Sequence, residues 1–239
     1  MKYGMKGRVR YSESGSSNHI TLPAIINYFQ DCSTFQSHAL GVGVEALAKQ
    51  RKAWVLSSWQ IVADRYPGYG EEITVETWAT DFTGVCGTRN FLMAGADGMP
   101  AAYANSIWAY MDLERGRPAK PSQEEIDRYG MDPAFDMEYA PRKIRLPEES
   151  QQGKAFAVCR FHIDTNGHVN NCQYVQMALE VLETDITVRQ VRVEYKVAAV
   201  YGDIIYPKIA REEKRIVVEL CSVDDKPYAV MEFTGEEVR

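Results

Sequence analysis

Apolar residues recur at helical spacing in two places. Leu22, Ile25, Ile26, Phe29 and Cys32 fall on one face of a 3.6-residue repeat, and Cys172, Val175, Leu179 and Leu182 form a second such stripe. A good N-cap residue precedes each, Thr21 and then Asn170, and Pro23 stands where a first helical turn tolerates proline. Asn170 and Gln173 have the spacing of a capping box. Elsewhere the period drops to two. Ile107, Ala109, Met111 and Leu113 alternate with Trp108, Tyr110 and Asp112, which predicts a strand. Strand-like runs also cover Trp54 to Tyr66 and Val191 to Val200. Two hairpins are expected. One runs from Phe91-Leu92-Met93 through Asp97-Gly98 to Ile107–Leu113, the other from Ile216–Val223 past Asp224-Asp225-Lys226 to Tyr228–Phe233.

These patterns occur twice. His19 and His168 are separated by 149 positions (168 − 19), as are Asp31 and Glu180. Gly70 and Gly202, each after a strand-like run, are 132 apart (202 − 70). One long helix followed by antiparallel strands, repeated, is the fold class this predicts, α+β with a sheet wrapped around a helix in each half. The halves are expected at 1–115 and 151–239. Between them, 116–150 is a connector rich in proline (Pro118, Pro121, Pro133, Pro141, Pro147), with a helix expected near Ser122–Tyr129.

Composition narrows the class. At 239 residues, 45% hydrophobic and 25% charged, the chain is long enough for a substantial core. A net charge of −6 argues against nucleic acid as a partner. Five cysteines in no metal or disulfide spacing suggest a reducing cytoplasm, and no run approaches membrane-spanning length.

The polar chemistry concentrates at Asp164-Thr165-Asn166-Gly167-His168-Val169-Asn170-Asn171. In an extended approach to the second helix, Asp164, Asn166 and His168 share a face, beside the helix's unpaired N–H groups. Gly167 permits an unusual φ or the close approach of a ligand. That set suits acyl transfer to water. His168, with an ordinary pKa of about 6.5, is a general base or acid. Asp164 either fixes its tautomer or activates water itself. Asn166 and helix-terminal N–H groups polarise the carbonyl. Turn and capping roles explain the same residue types, but the first half has Gly15 and Ser17 opposite Asp164 and Asn166, so the fold does not require those two side chains. Cys172 beside the stretch belongs to the apolar stripe, where a buried cysteine is the common case. Asp31 and Glu180 read as exposed helix-end acids, and the four tryptophans as core.

The stretch Asp164-x-Asn166-Gly167-His168-Val169-Asn170-Asn171-x-x-Tyr174 resembles the signature of hot-dog-fold thioesterases. Trp54-Val55-Leu56, Asp64-Arg65-Tyr66-Pro67, Val75-Glu76-Thr77-Trp78, Gly87-Thr88-Arg89-Asn90-Phe91 and Ala104-Asn105-Ser106-Ile107-Trp108-Ala109 extend the resemblance along nearly the whole chain. Together they are similar to the acyl-acyl carrier protein thioesterases of bacteria and plant plastids. The resemblance implies a tandem hot-dog, two antiparallel sheets each wrapped around a long helix. It also implies hydrolysis of fatty acyl thioesters on a carrier protein's phosphopantetheine arm, with Asp164, Asn166 and His168 catalytic and neither metal nor organic cofactor. After Val193-Glu194-Tyr195 the family often carries a glutamate and, in plants, a cysteine; here those positions are Ala198 and Ala199. An acyl-CoA thioesterase and a non-catalytic acyl-binding protein are the alternatives, and a homodimer is compatible with each. The basic residues Arg115, Arg117 and Lys120, with Arg142, Lys143 and Arg145, suggest docking of an acidic carrier protein on the connector.

Overall fold

The computed structural model describes residues 1–182 and 186–237. The chain divides into two compact units, one of residues 1–57 and 61–139, the other of residues 58–60 with the chain from Ala140 onward.

In the first unit, β1 (Tyr3–Arg8) precedes α1 (Leu22–Ala39), α2 (Val44–Lys49), β2 (Lys52–Ala63), β3 (Glu72–Thr83), β4 (Cys86–Gly95), β5 (Pro100–Asp112), the short β6 (Arg117–Pro118) and α3 (Gln123–Tyr129). Strand order is β1-β3-β4-β5-β2, with β6 on β5. The ladders from β1 to β5 are antiparallel. The helical stripe predicted for α1 is its core face: Ile25, Ile26, Phe29 and Cys32 are fully buried, and the Phe29 ring meets Phe91 of β4 at 5.2 Å. Burial of each such side chain contributes about 1.5–3 kcal/mol. Thr21 caps the helix as expected, accepting the Ala24 N–H at 3.3 Å, and Pro23 lies in the first turn. Gly98, at φ +76°, turns β4 into β5.

Alternation puts Asn90 on the opposite face of β4 from Phe91. There the later part of the expected connector is fastened. Asn90 Oδ1 accepts the Phe135 N–H at 2.9 Å and the Tyr139 hydroxyl at 3.0 Å, while Nδ2 donates to the Ala104 carbonyl at 3.2 Å. Trp78 Nε1 donates to the Pro133 carbonyl at 2.9 Å. Within the connector, Ser122 and Glu125 form a reciprocal cap on α3.

The second unit contains β7 (Gln151–Gln152), β8 (Phe156–Ala157), α4 (Asn171–Glu180), β9 (Ile186–Tyr195), β10 (Ile204–Glu212), β11 (Arg215–Cys221) and β12 (Pro227–Glu237). Its order is β9-β12-β11-β10-β7, with β8 also on β10 and these ladders antiparallel. Cys172 and Val175 of the α4 stripe are buried, as is Leu182 just past the helix. β9 ends at Tyr195 rather than Val200. Lys196 still donates its N–H to the Tyr228 carbonyl of β12 at 2.8 Å, and beyond it the main chain turns toward the start of α4, as the bonds of Ala199 below show.

No described helix is long and apolar enough to cross a membrane, and none of the five cysteines forms a disulfide.

Candidate active site

The two copies of the helix-entry segment share one main-chain frame. In the first unit a 3-10 turn at Tyr11–Glu13 leads to a Ser14–Ile20 bridge. Gly15 N–H donates to the His19 carbonyl at 2.9 Å and Asn18 N–H to the Gly15 carbonyl at 3.0 Å. In the second unit a 3-10 turn at Arg160–His162 leads to an Ile163–Val169 bridge. Asp164 N–H donates to the His168 carbonyl at 2.8 Å and Gly167 N–H to the Asp164 carbonyl at 3.1 Å. Each of these residues is 149 positions from its counterpart. The glycine pair also repeats, at φ +80° for Gly70 and +89° for Gly202.

Asp164–His168 is therefore a tight turn, and the extended approach expected from the sequence is corrected. The left-handed φ of +78° at Gly167 closes it. A Cβ at Gly167 would meet nothing within 4 Å, so backbone conformation and not crowding explains the glycine. The turn still joins the three expected residues by a different route, with Asp164 bonded to the main-chain N–H of His168 and not to its imidazole. Asp164 Oδ1 accepts the Asn166 N–H at 2.8 Å and the His168 N–H at 3.3 Å, and Asn166 Nδ2 lies 3.4 Å from Asp164 Oδ2. Asn166 and His168 are exposed and Asp164 is half-buried.

α4 starts where expected, but without the expected capping box. Asn170 is the N-cap, its Oδ1 accepting the Cys172 N–H at 2.9 Å. Its own N–H goes to the His162 carbonyl at 2.9 Å, which leaves Gln173 no capping-box role. The Gln173 N–H is taken by the Asn170 carbonyl at 2.9 Å. Two of the helix-terminal donors expected to hold an oxyanion are thus already engaged, and the Asn166 carboxamide is the donor the turn itself presents.

Ala199 lies against this turn. Its carbonyl accepts the Val169 N–H at 2.9 Å and its N–H donates to the Tyr174 hydroxyl at 2.8 Å. Tyr195 braces the same corner by donating to the Asn171 carbonyl at 2.9 Å. Ala198 next to it is exposed. Glu194 does not substitute: it is buried, ion-paired with Lys196 and accepts the Ile144 N–H. Cys172 is buried, and burial pushes its thiol up to about 12, which disfavours a thiolate nucleophile. No cluster of three or more His, Cys, Asp or Glu side chains able to hold a metal occurs among the described residues.

Sequence reading missed His162. Its Nδ1 accepts the Cys159 N–H at 2.9 Å, as Glu13 Oε2 accepts the Arg10 N–H at 2.8 Å in the first unit. The 149-residue offset pointed to this position, but a histidine inside a short turn carries no distinct pattern.

Residues 1–129 match the family model of the acyl-ACP thioesterase N-terminal domain and residues 146–229 that of the C-terminal domain. The chain belongs to the acyl-ACP thioesterase family. The oleoyl-acyl carrier protein thioesterase 1, chloroplastic, of Arabidopsis thaliana is 26% identical over 211 residues, covering 78% of this chain and 56% of that protein. The palmitoyl-acyl carrier protein thioesterase, chloroplastic, of Gossypium hirsutum is 26% identical over 186 residues, covering 72% and 45%. The chain spans about half the length of the curated relatives it matches. Among solved structures, an acyl-ACP thioesterase from Bacteroides thetaiotaomicron aligns with TM-score 0.88 at 22% identity, over 98% of both chains. The 12:0-ACP thioesterase from Umbellularia californica aligns with TM-score 0.82 at 18% identity, over 99% of this chain and 98% of that one. These likenesses establish a shared fold, a large antiparallel sheet with few helices.

Proposed function

We propose that this protein hydrolyses fatty acyl thioesters of acyl carrier protein to the free acid and the holo carrier, on a tandem hot-dog scaffold. One observation carries the reading. The first turn forms with Gly15 and Ser17 where the second has Asp164 and Asn166, and it keeps the same main-chain bonds. The acid and the amide are surplus to folding, whereas the imidazole is common to both turns as His19 and His168, and an acid and an amide added beside an imidazole suit chemistry.

In this reading His168 accepts the proton of the attacking water and returns it to the leaving thiolate. Asp164 fixes the loop by holding the N–H groups of Asn166 and His168. Asn166 donates to the thioester oxygen as negative charge develops there. With alanine at 198 and 199, no carboxylate or thiol from that segment takes part, so the base is drawn from the turn. The carrier protein is acidic in this reading, and the exposed Arg115, Arg117 and Lys120 are its docking residues. Five cysteines outside any disulfide support a cytoplasmic site of action. The experiment is thiol release from acyl carrier protein thioesters; an acyl-CoA preference, or tight acyl binding without release, overturns the reading.

A further inference from the structure

A cavity of about 960 Å³ opens in the second unit, beside α4. Its origin is local. In the first unit, β1 is one unbroken strand, and the Tyr28 ring fills the space behind it, 3.1 Å from where a Cβ on Gly7 would be. In the second unit Met177 stands at the position of Tyr28, and the corresponding strand is split into β7 and β8. Pro207 of β10 faces the gap with no N–H to donate. Its carbonyl instead gathers the Gly153 N–H at 2.8 Å and Gln152 Nε2 at 3.0 Å. The second unit thus has a methionine and a split strand where the first has Tyr28 and an unbroken β1.

The lining is amide-rich. Gln151, Gln152, Gln173 and Gln176 all contribute, and the carboxamides of Gln151, Gln173 and Gln176 have no hydrogen-bond partner among the described residues. His162, which is 8% exposed, also lines it. Because Nδ1 accepts the Cys159 N–H, Nε2 carries the proton, and it too has no partner among the described residues. Met177, Ile209 and Phe156 supply apolar wall. Carboxamides both donate and accept, so they match an amide-bearing chain, and Glu180, Lys154 and Arg211 add charges of both signs to the wall. Gln173, Gln176 and Glu180 follow one face of α4 for about 10 Å, at 1.5 Å per residue. Gln173 ends this row one turn from the N-cap Asn170, which follows the end of the Asp164–His168 turn.

We propose that this cavity is the binding slot for a pantetheine arm, its amides meeting Gln173, Gln176 and His162 Nε2–H while its thioester end points toward the Asp164–His168 turn. This rests on the thioesterase reading for the identity of the arm. Carrier protein and coenzyme A both present that chemistry.

Cys159 is exposed and lines the slot, so its alkylation reports occupancy. Iodoacetamide labelling is followed by peptide mass spectrometry, with Cys86 as internal reference. The probes are S-methylpantetheine, S-methyl coenzyme A and S-methylated holo carrier protein. At roughly ten times Kd, labelling of Cys159 slows about tenfold while that of Cys86 is unchanged. The double variant Gln173→Leu, Gln176→Leu, with an unchanged melting curve, loses the protection. Protection by the carrier at far lower concentration than by S-methyl coenzyme A assigns the arm to the carrier; the reverse assigns it to coenzyme A. Absence of protection by all three probes, equal protection in the double variant, or protection by decanoate instead overturns the slot. Thiol release by the same preparation separates the two ideas. Protection without turnover upholds the slot and defeats the thioesterase reading, and turnover without protection does the reverse.

Discussion

Asp164 accepts two main-chain N–H groups, yet Gly15 holds the equivalent turn with no side chain at all. Asp164→Ala is therefore expected to shift folding stability by less than about 1 kcal/mol, because the freed N–H groups are near water. Thiol release is expected to fall by about 10²-fold or more. A large loss of stability in a urea titration would assign Asp164 to folding. Gly167 gives a second check. Asn18, at φ +59°, occupies its place in the first unit, and asparagine tolerates the left-handed region that other L-residues avoid at a cost of about 1–2 kcal/mol. Gly167→Asn should accordingly be more stable than Gly167→Val by about 1 kcal/mol in urea, and equal midpoints would contradict the turn geometry. The exposed Ala198, beside the turn, has room for a longer side chain. Ala198→Glu is expected to raise kcat by supplying an additional base, and a kcat unchanged or lowered would show that the turn alone is the machinery. His162 carries the pH dependence. Burial holds its imidazole below the ordinary value, and protonation would set an N–H against the Cys159 N–H. The unfolded chain therefore takes up the proton first. The stability contribution is complete above about pH 6.5 and is lost as pH falls through that value toward the lower folded one. In His162→Gln, whose amide oxygen accepts the same N–H, that slope between about pH 7.5 and pH 5 should vanish; an identical slope would place its origin elsewhere.

At the scale of elements, period and caps were legible because each has a local cause. The apolar stripe and Thr21 announced α1, Ser122 announced α3, and Asp97-Gly98 and Asp224-Asp225 marked both hairpins. The 149-residue offset likewise held down to single hydrogen bonds. What was not legible depended on bonds between distant segments. Asp164–His168 was expected to be extended, because nothing local shows that Asp164 N–H reaches the His168 carbonyl. β9 was drawn too long because the partner that ends it, the Val169 N–H on Ala199, lies 30 residues away (199 − 169). Nor was the anchoring of the connector legible, since Asn90 fastens Phe135 and Tyr139 onto the first unit's sheet from 45 and 49 residues away. Asn90 is fully buried with its oxygen doubly engaged. Asn90→Leu leaves those partners unpaired and should cost about 2–3 kcal/mol in urea, with new proteolysis between Pro133 and Tyr139. A cost below about 0.5 kcal/mol would mean that the connector is held by Trp78 and its neighbours instead.

At the scale of the molecule, a net charge of −6 contrasts with the exposed Arg115, Arg117 and Lys120. Reversing the sign of all three is expected to raise KM for carrier protein substrates, and the difference should shrink at high salt as screening shortens to about 3 Å at 1 M. An unchanged KM would move the docking face elsewhere. The candidate site was readable as residues but not as a shape, since residue types survive in a sequence while the frame that presents them does not. Its function rests on one unequal pair of turns, each with a histidine, of which the second alone adds Asp164 and Asn166 where the first has Gly15 and Ser17. The most direct measurement is thiol release from a panel of acyl carrier protein thioesters by the wild type, Asp164→Ala and His168→Ala. The account predicts turnover in the wild type and a fall of about 10²-fold or more in both folded variants. Release that persists in both variants, or is absent from the wild type at every chain length, would contradict it.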